Sequence, residues 1–262
     1  MLINSVILIL REVLEAAMLV SVLLALSLNL RVGVRWFFAA LVFGAIGTVV
    51  FAGSLEIVTD ALDGAGQEVA NAALQCLVYI FVVGILWLGT SATRSASRDK
   101  VLVILMACAV ACAIIREGAE ILIYIVGFSA VEEQRAAVYA GSSIGAGIGL
   151  SLGVLLFATL RALEETHAKT ACLILVSLMA TGMVMQSTML LEQVDLLPSG
   201  NTLWDSSSLV SEQSIAGEVL YAVFGYESTP SVVQAGIYLA CLVLCFVIGL
   251  YSSFRKGATR VS

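Results

Sequence analysis

The chain has 262 residues, of which 60% are hydrophobic and only 12% charged, with a formal net charge of −6 and a mean hydropathy of +1.04. So few charges cannot cover the surface of a water-soluble domain of this length, which excludes a soluble globular protein. Neither nucleic acid nor a resident cofactor is expected as a partner.

A membrane-spanning helix needs about 20 mostly apolar residues. Seven segments meet that length, at about 3–29, 34–55, 69–89, 101–128, 138–160, 170–191 and 232–252. Backbone groups in lipid must be satisfied within the segment, and runs this long are helices rather than barrel strands. The expected fold is an all-α integral membrane protein with seven transmembrane helices in a single domain, 1–262. Membrane lipid is then one of its partners.

The first segment is interrupted by Arg11-Glu12-Val13-Leu14-Glu15. It lacks the basic start of a signal peptide, and these charges break its apolar run, so it is read as part of the mature protein. The fourth segment holds a second copy, Arg116-Glu117-Gly118-Ala119-Glu120. An ionisable group in mid-membrane costs roughly 2.5–3.5 kcal/mol on insertion scales, so it is rarely present without a task. The fifth segment carries Gly141, Gly145, Gly147, Gly149 and Gly153, in which Gly145-x-x-x-Gly149-x-x-x-Gly153 is a ridge of small residues suited to close helix packing. Met179, Met183, Met185 and Met189 on the sixth read as packing residues. So do Cys76, Cys108, Cys112, Cys172, Cys241 and Cys245, all of which fall within spans rather than forming a disulfide framework.

Between the sixth and seventh segments, about 192–231 form the longest loop. Its Ser214–Phe224 stretch is too short to span and is expected to lie as a helix at the outer interface. The lone His167 sits in a loop beside Glu164 and Glu165 and reads as a solvated residue.

Lys and Arg set the orientation. Arg31, Arg35, Arg94, Arg98, Lys100, Arg161, Lys169, Arg255, Lys256 and Arg260 fall on one side, against Arg135 on the other. The N-terminus is expected outside and the C-terminus in the cytoplasm. The outer loops are acidic, which serves solubility or concentrates cations at the mouth.

The two motifs lie 105 residues apart with three spans per unit, so the second unit is inverted relative to the first. This fits a 3+3 inverted repeat, about 1–100 and 101–191, with a shared site near the midplane and a seventh helix appended. Within each motif the i, i+3 and i, i+4 spacings put the three charges on one helix face. Together they hold four carboxylates and two guanidinium groups, a formal charge of −2. Such a cluster must be protonated, hydrated or occupied by a cation. Carboxylate oxygens suit hard cations. The plain alternative is an ion-pair network pinning helices one and four, but equal numbers of acids and bases would suffice for that.

The doubled motif resembles the Arg-Glu-Gly-Leu-Glu motifs in the first and fourth spans of the high-affinity, oxidase-dependent iron permeases, the Ftr-type iron/lead transporters. The likeness runs over nearly the whole chain. In Trp204-Asp205-Ser206, Phe224-Gly225-Tyr226 and Pro230-Ser231-Val232 it is similar to the bacterial ferrous-iron-uptake branch. Val13 stands where that family has Gly, and Ala119 where it has Leu, both at non-ligand positions.

The resemblance implies high-affinity iron import, with iron as transported substrate bound by Glu12, Glu15, Glu117 and Glu120 and supported by Arg11 and Arg116. It implies a multi-pass protein of the cytoplasmic (inner) membrane. It also implies a ferroxidase or extracytoplasmic iron-binding partner, expected to be a separate protein. Asp205 and Glu212 are candidate entry acids on the outer loop. From chemistry alone, manganese or another divalent cation is equally allowed, as is a proton-coupled carrier. An intramembrane glutamate-dependent enzyme is a further alternative, although metal-dependent hydrolysis normally recruits His ligands. No catalytic residue is expected.

Overall fold

A computed structural model of the chain describes residues 1–90, 95–211 and 214–258. Eight helices follow in order: α1 (Leu2–Asn29), α2 (Arg35–Ala61), α3 (Gly66–Thr90), α4 (Ala96–Ser129), α5 (Glu132–Ala162), α6 (Glu165–Gln193), α7 (Ile215–Phe224) and α8 (Val232–Ala258). No strand occurs among the described residues, which contain only an isolated bridge between Thr202 and Ser231.

Among the described residues, six helices are long and apolar enough to cross a membrane: α2 to α6, and α8 over Val232–Gly249. At 28 residues α1 has the length as well, but Arg11, Glu12 and Glu15 interrupt its apolar run and it is not among the six.

Polar residues stabilise the ends of α4 and α5, which overrun the apolar segments. Ser95 caps α4 by accepting from the Arg98 amide at 3.3 Å, with Asp99 in the first turn. Glu132 and Glu133 open α5 and Arg161 closes it, each matching the sign of the helix dipole. Between α1 and α2, Arg31 turns the chain at φ 53°, and the Trp36 indole donates to the Ser27 hydroxyl at 3.1 Å.

Helix α1 packs along α5, and α4 along α2, while α3 and α6 pair with each other. The glycine ridge of α5 is the surface that meets α1. A Cβ added at Gly145 would stand 2.5 Å from the Val6 carbonyl, and one at Gly153 would stand 2.8 Å from Ala17 Cβ. On the other pair, Gly44 and Gly47 of α2 receive Ile114 and Ile115 of α4, and the Thr48 hydroxyl donates to the Ile114 carbonyl at 3.0 Å. Core side chains Leu19, Leu23, Leu26, Ile85, Met106 and Met179 are buried between α1, α3, α4 and α6. Outward residues such as Phe43 and Val49 on α2 and Val154 on α5 are large, apolar and exposed, as a lipid-facing surface requires.

The structure differs from expectation at α7. Val223 is buried, and the C-cap Gly225 (φ 65°) abuts Gly182. Gly182 lies eleven residues before the last residue of α6, which is about 16 Å along that helix. This apolar ten-residue helix is therefore tucked into the bundle rather than resting on its rim. Two facing glycines allow that depth, because a Cβ on Gly182 would stand 2.6 Å from the Gly225 amide nitrogen.

The segments around Trp204, Tyr226 and Ser231 form one unit. The Leu203 amide donates to the Pro230 carbonyl at 2.8 Å, and the Ser206 and Tyr226 hydroxyls are 2.8 Å apart. All six cysteines are free, and His167 is exposed, 3.4 Å from Glu164.

Candidate metal site

Helices α1 and α4 bring the two motifs together inside the bundle. Glu12, Glu15, Arg116 and Glu117 are all buried, while Arg11 and Glu120 are partly exposed, with side chains 32% and 24% accessible. Arg116 is the bridge between the two motifs. Its Nη1 donates to Glu15 Oε2 of α1 at 3.1 Å and also to Glu117, and its Nη2 lies 3.5 Å from Glu120 Oε1. Arg11 is set differently: its Nε lies 3.4 Å from Glu12 Oε1 and 3.8 Å from Glu15 Oε1. Its guanidinium stacks on the Tyr221 ring of α7, 4.8 Å from the centroid.

The four glutamates are not equivalent. Carboxylate oxygens of Glu12, Glu117 and Glu120 lie within 4.8 Å of one another, a spacing at which one cation can be shared. Glu15 stands outside that trio; its Oε2 accepts from Arg116 at 3.1 Å and from the Gln186 amide at 3.4 Å. One oxygen each of Glu12, Glu15 and Glu117 is buried without a hydrogen-bond partner. Three carboxylates left in this state are acceptors awaiting a cation or proton.

A cleft of about 640 Å3 leads to Glu12 and Glu120 from the end of the bundle where α1 and α3 begin and α4 ends. Asn4, Gln67, Tyr124 and Phe128 line its mouth, with Arg11, Glu12 and Glu120 deeper in. A second hollow, of about 430 Å3, reaches Glu12 and Glu117 from the other side, between α2 and α5. Its remaining walls are apolar apart from Ser21. A third, of about 540 Å3, opens at the opposite end of the bundle among Asn29, Thr90, Lys169 and Ser177.

Of the expected entry acids, Asp205 is exposed and takes no part in the cleft. Its Oδ1 accepts from the Ser207 hydroxyl at 2.6 Å and the Ser207 amide at 2.9 Å, which holds its carboxyl below the usual range. Glu212 lies outside the described residues.

Three amide side chains escaped the sequence reading. Asn71 Nδ2 donates to Glu120 Oε1 at 3.1 Å, and Gln75 Nε2 donates to Gln186 Oε1 at 2.6 Å, while Gln186 reaches Glu15. Gln67, Asn71 and Gln75 recur every four residues along α3. That periodicity in an apolar helix is the signal that would have found them.

A bundle of long apolar helices around a buried acidic cluster defines a multi-pass helical membrane protein. The family model described as the iron permease FTR1 family matches residues 2–256. The chain belongs to that family, one of transporters whose substrate is iron. Comparison with curated proteins gives no match, and comparison with solved structures gives none either.

Proposed function

We propose that this chain imports iron across the cytoplasmic membrane through the site between α1 and α4, with Glu12, Glu117 and Glu120 as the first ligands. The observation that carries the reading is the convergence of their carboxylates to within 4.8 Å, with Glu12 and Glu120 lining an open cleft, in a member of an iron permease family. The cation enters past Asn4, Gln67 and Tyr124 and exchanges its water for carboxylate oxygens. Arg116 keeps the buried acids from repelling one another, yet two Arg against four Glu leave the net negative charge that a cation neutralises. Glu15, held by Arg116 and Gln186, is a station for the cation after the trio.

In this reading α1 is a seventh span, the N-terminus is outside and the C-terminus is cytoplasmic. The two triplets α1–α3 and α4–α6 form an inverted repeat. The exchange of partners between them, α1 with α5 and α4 with α2, supports that symmetry. A separate ferroxidase or extracytoplasmic iron-binding protein delivers the metal to the mouth.

The test is radiolabelled iron uptake into proteoliposomes carrying Glu12→Gln or Glu117→Gln. Each is expected to lower uptake at least tenfold at normal protein level, and unchanged uptake overturns the site. Competition by manganese, zinc and lead in the same assay reads the selectivity.

A further inference from the structure

The amide stripe of α3 runs alongside the carboxylate trio from the mouth of the cleft inward. Gln67 lines the cleft, Asn71 is bound to Glu120, and Gln75 is bound to Gln186 and through it to Glu15. Successive members are one helical turn apart, about 6 Å. Asn71 and Gln75 are buried, at 4% and 1% exposure. Each has its NH2 group committed to an acceptor, since a carboxylate or carbonyl oxygen faces it and the flipped amide would set oxygen against oxygen. Their carbonyl oxygens, Asn71 Oδ1 and Gln75 Oε1, are consequently left buried with no hydrogen-bond partner. A buried unpartnered carbonyl is costly, and two of them in consecutive turns beside an acidic cluster call for a ligand. Amide carbonyls are hard neutral oxygen donors, which bind cations without adding to the negative charge already in the site.

We propose that the carbonyl oxygens of Asn71 and Gln75 are neutral metal ligands that pass the cation along α3, from the Glu120 level to the Glu15 level. This rests on the carboxylate site of the preceding section. Asn71 completes the coordination at the trio, and Gln75 serves the step inward, with Gln186 orienting both Gln75 and Glu15.

The test uses the full chain, purified for anaerobic equilibrium binding of radiolabelled Fe2+ and reconstituted for uptake. Asn71→Leu is expected to weaken binding at least tenfold, whereas Asn71→Asp, which keeps an oxygen in place, binds no more weakly than the unaltered chain. Gln75→Leu is expected to leave binding within threefold and slow uptake at least tenfold. If Asn71 merely holds Glu120, the order reverses, because an Asp there repels that carboxylate and Asn71→Asp binds more weakly than Asn71→Leu. That reversal overturns the proposal. So does binding and uptake within twofold for both Leu variants. Glu117→Gln, run in parallel, separates the two readings. Its loss of binding alongside unaffected amide variants overturns the amide ligands alone, while its retention of binding and uptake overturns the carboxylate site beneath them. Where a Leu variant fails to accumulate, the Asn71→Asp and Asn71→Ser pair carries the comparison, with Ser expected to bind at least threefold more weakly than Asp.

Discussion

Arg116 and Arg11 occupy the same place in the same motif, but burial separates their energetics. Arg116 is nearly inaccessible and touches Glu15, Glu117 and Glu120, so Arg116→Leu strands three acids in a low-dielectric interior. Removing one partner of a buried pair costs about 3–5 kcal/mol. A loss of that size is expected for Arg116→Leu in thermal or denaturant melts of the detergent-purified protein. Arg11 is one-third accessible and rests on an aromatic face. Arg11→Leu removes the ion-pair partner of buried Glu12 but leaves Arg116 beside Glu15, so it is expected to cost less than Arg116→Leu. Tyr221→Phe keeps the ring under the guanidinium and should melt as the unaltered chain does, whereas Tyr221→Leu should lose about 1 kcal/mol. The charged sextet was legible in the sequence, since six ionisable groups in apolar runs stand out by cost alone. Its division into a trio plus Glu15 was not, because that depends on how the two helices set their carboxylates against each other.

At the level of the helix, the α5 ridge has to act as a backbone contact. The neighbours of an added Cβ at Gly145 are the Val6 carbonyl and the Leu10 amide nitrogen, at 2.5 and 2.9 Å, and main chain cannot swing aside as a side-chain tip can. Gly145→Val is expected to prise α5 from α1, and overpacking of this kind costs about 1–3 kcal/mol. Gly147 on the same helix has nothing within 4 Å of an added Cβ. Gly147→Ala should be neutral or stabilise the helix by about 0.5–1 kcal/mol. Paired melting curves that fail to separate these two variants would reject the ridge as the packing surface. Helix α7 depends on Gly225 in two ways: a positive φ and the approach to Gly182. Gly225→Ala should therefore cost about 1–2 kcal/mol for the dihedral alone. The spacing of glycines on α5 was visible beforehand, and so was the helicity of 215–224. The depth of α7 was not, because hydropathy reports that a segment is apolar and not which groove accepts it.

For the whole molecule, the decisive measurement is sidedness. The proposed arrangement puts the α6–α8 connection outside and the α5–α6 connection in the cytoplasm. Ser199→Cys is expected to react with an impermeant thiol reagent added to intact cells, and His167→Cys only after permeabilisation. The six native cysteines are free, four of them half-buried and two buried, and set a low background. Labelling of both sites from outside would remove the inverted repeat, since α1–α3 and α4–α6 are antiparallel copies only if each triplet crosses an odd number of times.

The sequence alone determined that the chain is helical and membrane-embedded, that it carries two acidic motifs, and which family it resembles. Each of those is written in local composition and spacing: length and apolarity make spans, while charge within a span marks the site. Tertiary structure decided which groups meet. It converged Glu12, Glu117 and Glu120 while diverting Glu15 to Arg116 and Gln186, sank α7 to Gly182, and laid the α3 amides beside the acids. The physical reason is that a membrane span advertises its apolarity but not its neighbours. Those are chosen by close packing at glycine faces and by the need of every buried polar group for a partner.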